Sequence, residues 1–227
     1  MPFLGKAAVA MWWNMAPEHR EEFEDWHSHE HFPERMAIPG FLRGSRWAHA
    51  DGGERFFVMY ELDDYATLTS STYRERLNNP TPWSTQMMPR HQGMVRSQCR
   101  VLHSAGGGIS RFALTLRLSP AEGRETALQN HLAEAATTFT TQPGGAALHL
   151  LATQTPDTPP TLEQQIRGGK DAAADWIVVA MSYAAEALEA LQRGALSQAQ
   201  MLAHGARPGG ITGMYQLSYT LAAQDLR

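Results

Sequence analysis

One cysteine, Cys99, in 227 residues excludes an intramolecular disulfide framework and a multi-cysteine zinc or iron–sulfur site. So few thiols fit a reducing compartment, and a cytoplasmic location is expected. Basic charge is also short. Lys and Arg total 19 against 23 Asp and Glu, a formal net charge of −4, whereas a phosphate-backbone partner calls for a basic excess. Nucleic acid is not an expected partner. No window approaches the roughly 18 apolar residues of a spanning helix, so no membrane partner is expected either. The apolar stretch from Ala7 to Trp13 follows a single positive charge, Lys6, and carries the bulky Trp12 and Trp13, poor features for a signal peptide. What the chain does have is apolar residues, 43% against 19% charged, enough for a sizeable core without staples.

Sliding the sequence against itself by 104 residues lays Pro39-Gly40 on Pro143-Gly144, His27 on His131 and Glu30 on Glu134. Together with the order of elements this suggests an internal duplication. In the first half, residues 5–15 read as a strand, Pro17 opens a helix and Pro33 ends it, and Pro39-Gly40 turns the chain. Strands over 41–50 and 55–62 follow, joined by Asp51-Gly52-Gly53, a hairpin signal. Asp64 caps a helix over 65–77, and the Pro80-Thr-Pro82 loop leads to a strand near 93–103. The second half repeats the plan, with strands near 110–118, 146–155, 175–183 and 210–221 and helices near 121–139 and 184–204. An insertion from Pro156 to Asp171 is expected to be a mobile loop. Ala105-Gly106-Gly107-Gly108 reads as the linker.

The expected fold is α+β: two ferredoxin-like β-α-β-β-α-β repeats in one chain, residues 1–104 and 105–227. Their antiparallel sheets would pack face to face as a pseudo-dimeric α/β barrel with the helices outside. Sheet edges of this kind can pair with a neighbour, which makes a homodimer compatible with the plan.

The run from Trp26 through His27-Ser28-His29-Glu30-His31-Phe32-Pro33-Glu34 to Arg35 is followed by Ile38-Pro39-Gly40-Phe41-Leu42-Arg43, Arg46-Trp47, Tyr73 and Pro80-Thr81-Pro82-Trp83. These segments resemble the dimeric α/β-barrel superfamily, nearest to its EthD-like and uncharacterised tandem members. The match covers residues 5–103, while 109–227 match in element order only. The superfamily includes cofactor-independent monooxygenases, muconolactone isomerases, dehalogenating lyases and haem-dependent chlorite dismutases, so the resemblance implies a fold more firmly than a reaction. His29 and His31 align with Ala133 and Ala135, and Trp26 with Asn130, which puts a site in the first half.

Seven of the ten histidines and five of the six tryptophans precede residue 105. His27 and His31, four apart, project from one helix face with Phe23 a turn earlier, and His29 points away. A neutral imidazole near its ordinary pKa can take a proton at pH 7, which suits enolisation, isomerisation or hydroxyl deprotonation. Glu30 could orient a ring by accepting its N–H. The competing reading makes both histidines packing residues, and a third makes them metal ligands without a third ligand at diagnostic spacing. Arg46 could hold a carboxylate or enolate oxygen, or form a surface ion pair. Trp47, Tyr60 and Tyr73 are candidate pocket walls, and Trp83, in a loop, a candidate lid.

The expected function is a cofactor-independent enzyme on a small planar oxygenated compound, aromatic, quinone or lactone-like. Its catalytic residues would be His31, His27 and Arg46, and its substrate contacts Glu30, Trp47, Tyr60, Tyr73 and Trp83. The alternative is a non-catalytic small-molecule-binding or stress-related module. No cofactor is expected; haem, or a metal on His27 and His31, are the lesser alternatives.

Overall fold

The computed structural model describes residues 3–49, 55–155, 159–168 and 171–226, with the Arg55 side chain left out. The expected turn at Asp51-Gly52-Gly53 lies outside the described residues, as do 156–158 and 169–170 of the insertion. In chain order the regular elements begin with β1 (Ala7–Asn14), α1 (Arg20–Trp26), a π-helical turn (His27–His31), α2 (Phe32–Met36), β2 (Phe41–His49) and β3 (Arg55–Leu62). Next come α3 (Ser71–Asn78), α4 (Pro82–Met87), β4 (Gln92–Gly106), β5 (Phe112–Leu118), α5 (Glu125–Phe139) and β6 (Gly145–Thr153). The last are α6 (Leu162–Ile166), β7 (Trp176–Ser182), α7 (Ala185–Arg193), α8 (Gln198–Ala203) and β8 (Ile211–Ala222). The strands are hydrogen-bonded in the order β1-β3-β2-β8-β5-β7-β6-β4, a closed barrel, so the fold is α+β. Among the described residues no helix is long and apolar enough to cross a membrane.

The chain divides into two compact units that interleave in sequence. One comprises Leu4–Cys99, Gln154–Ala173 and Ser218–Arg227; the other is built mainly from Arg100–Thr153 and Ala174–Leu217. In the first, β3 is the centre of an antiparallel trio, paired with β1 from Ala7 opposite Leu62 to Trp13 opposite Phe56, and with β2 from Phe41 to Ala48. Alternation along these strands sends Val9, Trp13, Phe56, Val58 and Tyr60 into one cluster with Phe23, Trp26 and Phe32 of the helices. Burial of each such side chain contributes about 1.5–3 kcal/mol. On the other strand face, Phe57 stacks between Trp12 at 5.0 Å and Trp47 at 5.1 Å.

The second unit pairs β5 and β6 with β7 around an almost wholly aliphatic core, Leu114, Leu116, Leu148, Leu150, Val178 and Ala180 beneath Leu128, Leu132 and Leu188. The two Pro-Gly turns are alike in detail. Gly40 and Gly144 adopt φ of +93° and +88°, a region that disfavours any side chain. Each is followed by a register shift in the strand pairing, between Phe41 and Arg43 and between Gly145 and Ala147.

Several elements depart from expectation. The first helix does not stop at Pro33 but runs to Met36, because the π turn absorbs the proline. The Phe32 amide donates to the His27 carbonyl, and Pro33, having no N–H, sits in the first turn of α2 where one is not required. Trp83 lies in α4, whose start is capped by the Thr81 hydroxyl, and not in a loop. The helical stretch after β7 breaks at Gly194 into α7 and α8. The segment over 65–77 is a short 3-10 helix, Tyr65–Thr69, capped by Asp64 as expected, and then α3. The insertion, expected to be a mobile loop, contains α6, opened by a reciprocal Thr161–Gln164 capping box.

Candidate functional site

The continued helix sets the site. With His27 and His31 in the π turn and Arg35 in α2, four-residue steps place three polar side chains in one buried row, all below 10% exposed. The two imidazoles stack at 5.4 Å with an interplanar angle of 19°. Tyr60 from β3, Tyr73 from α3, Arg96 and Met94 from β4, His91 just before it, and Glu163 and Arg167 from the insertion complete the lining of one cavity in the first unit. Its volume is about 40 Å³, room for a few waters at most.

Among the described residues, four polar atoms in this lining have no hydrogen-bond partner: Trp13 Nε1, His31 Nδ1, Arg35 Nη1 and the Tyr60 hydroxyl. Buried polar atoms are rarely left so, since each forgoes water without compensation. That these four share one cavity marks it as the place where a ligand's polar atoms would be met. Burial pushes the Tyr60 hydroxyl well above its ordinary pKa, so it is a neutral donor.

The imidazoles differ from the expectation of an ordinary pKa. Burial first, and then Arg46, pushes His27 well below the usual histidine value; burial and then Arg35 does the same to His31. Burial lowers His91 to about 4, although its ring donates from Nδ1 to the Met88 carbonyl at 2.9 Å. A carbonyl can only accept, so His91 Nδ1 carries the hydrogen and Nε2 keeps its lone pair. All three rings are neutral at pH 7.

Arg35 stays charged. Burial opposes its charge, but the buried Glu163 carboxylate, hydrogen-bonded to Nη2, outweighs it. Glu163 also lies 3.8 Å from Arg167, which in turn pairs with Asp171 at 2.8 Å. Arg96 donates to the Tyr73 hydroxyl at 2.8 Å.

Of the residues picked from sequence, His27, His31, Tyr60 and Tyr73 line the cavity. Arg46, Glu30, Trp47 and Trp83 do not. Arg46 stands behind His27, donating to the Ser218 hydroxyl at 3.1 Å and approaching His27 Nδ1 at 3.4 Å. Glu30 accepts from Trp26 Nε1 at 3.1 Å and from the Thr81 and Ser84 hydroxyls, tying the helix to α4 instead of orienting an imidazole. Trp47 is on the opposite strand face against Phe57. Trp83 packs, partly buried, against the apolar cluster. Sequence reasoning missed Arg35, His91, Arg96, Glu163 and Arg167. Arg35 was within reach of the same four-residue spacing that paired the histidines. Among the described residues no group of three His, Cys, Asp or Glu side chains is placed to hold a metal ion.

No family model matches the chain, and no curated protein matches it. Solved structures do. An anthrone oxidase-like protein superposes with a TM-score of 0.64 at 13% identity, over 98% of this chain and 95% of its own. A putative monooxygenase from Fusobacterium nucleatum gives 0.62 at 6% identity, over 96% and 95%. Another from Lactobacillus acidophilus gives 0.61 at 8%, over 96% and 97%. At such identities the likeness is one of fold, and the chain has the α+β-barrel fold shared by these monooxygenase-like proteins.

Proposed function

We propose that the protein is a cofactor-independent enzyme that removes a proton from a small planar oxygenated compound, an aromatic, quinone or lactone-like molecule. The observation that carries this is the convergence of His31 Nδ1, Arg35 Nη1 and the Tyr60 hydroxyl, all unpartnered, on one cavity. His31, neutral at working pH, takes the proton. Arg35 holds the oxygen on which negative charge develops, and Tyr60 donates to a second oxygen. An imidazole with so low a pKa is a weak base, so the substrate's proton must be acidified by an adjacent carbonyl or aromatic system and the oxyanion held by Arg35. That requirement favours ring ketones, phenols and their relatives. Similarity to proteins described as monooxygenases and as anthrone oxidase-like favours oxygenation over isomerisation or elimination as the later step.

A ring needs more room than about 40 Å³, and the unbranched Met88 and Met94 in the lining are the side chains able to swing aside. We also read the repeated Pro-Gly turn and strand irregularity, 104 residues apart, as the mark of a tandem ferredoxin-like duplication whose second copy lost the chemistry.

The test is a thermal-shift screen of phenols, quinones, lactones and ring ketones on wild type, His31→Ala and His131→Ala, followed by turnover and oxygen-uptake assays on any binder. Ligand binding raises the melting temperature with concentration. A shift kept in His131→Ala and lost in His31→Ala, with turnover lost as well, is the expected result. Equal shifts and turnover in all three proteins would remove His31 from the mechanism.

A further inference from the structure

The charges around the cavity do not cancel. Four charged side chains line it, Arg35, Arg96, Arg167 and Glu163. The carboxylate of Glu163 is taken by Arg35 and approached by Arg167, and Asp171 beside it is taken by Arg167. The histidines are neutral. Among the described residues Arg96 has no carboxylate within ion-pair distance, Asp171 and Glu163 acting on it only from farther away; its Nη2 donates to the Tyr73 hydroxyl. Three guanidinium groups against two carboxylates leave one positive charge. Arg35 Nη1 has no hydrogen-bond partner among the described residues.

A partly desolvated guanidinium with no carboxylate in direct contact can still gain from an oxyanion, which offers it paired, charge-assisted hydrogen bonds. Two donor hydroxyls, on Tyr60 and Tyr73, line the same cavity. Resting on the enzyme reading above, we propose that the substrate is a monoanion, a ring compound that bears one carboxylate or one ionised phenol or enol oxygen besides the separate proton that His31 removes, seated between Arg35 and Arg96. Dianions are disfavoured because only one charge is uncompensated. Neutral isosteres lose the pairing and keep only the apolar contact.

The experiment is isothermal titration of the full chain with matched pairs: benzoate against methyl benzoate, and 4-nitrophenolate against 4-nitroanisole. The expected result is that at least one anion binds about tenfold or more tightly than its neutral partner. In Arg96→Met, shown folded by circular dichroism, that preference shrinks to near unity, and Arg96→Lys restores part of it. The first pair reads carboxylate recognition and the second phenolate recognition. Binding of the neutral compounds equal to that of the anions, with the His31→Ala loss retained, would overturn the anion proposal and leave the enzyme reading intact. A preference unchanged in Arg96→Met would also overturn it. If neither anions nor neutral rings bind, both readings fall together.

Discussion

Arg46 can only donate, so its approach to His27 Nδ1 decides which nitrogen of that ring carries the hydrogen. His27 is held as the Nε2–H tautomer, with a cation against its lone pair that further resists protonation. The same guanidinium reaches the Ser218 hydroxyl and the Glu24 carbonyl, and lies over the Phe23 and Tyr219 rings. An arginine chosen from sequence as an oxyanion holder thus positions a histidine instead. Arg46→Met should therefore mix the His27 tautomers and raise its pKa, visible in the ring nitrogen shifts by NMR, and cost about 1–3 kcal/mol of stability through the acceptors left behind. An unchanged nitrogen spectrum would separate Arg46 from His27.

At the scale of elements, the π turn explains both what was legible and what was not. The strands, the Asp64 cap and the Pro-Gly turns follow from alternation and turn chemistry, which are local, and they stand where the sequence places them. Pro33 reads locally as a helix stop. Only the packing of Phe32 and Met36 into the core, together with one wider turn, carries the helix past it and brings Arg35 into line with His31. The insertion was opaque for a related reason. Its prolines and glycines hide a helix whose worth lies in Glu163 meeting Arg35, 128 residues away in sequence. His91 stands in a short turn after α4, with no periodic pattern to announce it. A π turn holds one residue more than an α turn would, so deleting Ser28 should restore regular α-helix and leave His27 three residues from His31, about 60° out of line with it. The variant should still melt cooperatively, with ligand-induced thermal shifts abolished. Retained shifts would show that the π turn is not what aligns the row.

For the molecule as a whole, burying three neutral imidazoles beside arginines links stability to pH. The unfolded chain binds protons on these rings as the pH falls below the ordinary histidine value, while the native state resists, down to about 4 for His91. Between those limits the unfolded state holds more protons, so native stability falls as pH falls, by up to about 1.4 kcal/mol per pH unit for each ring. Glu34 and Glu61, whose carboxyls burial raises, pull the other way near the bottom of this range, because there the native state takes up their protons first. His91→Asn isolates one ring, since an asparagine can still donate toward the Met88 carbonyl. At pH 7 the wild type should be the more stable protein, and chemical denaturation repeated downward from there should show its advantage shrinking as the solution approaches pH 4. A constant difference between the two proteins would mean that His91 titrates normally in the fold, and the neutral state assigned to this buried imidazole would have to be given up.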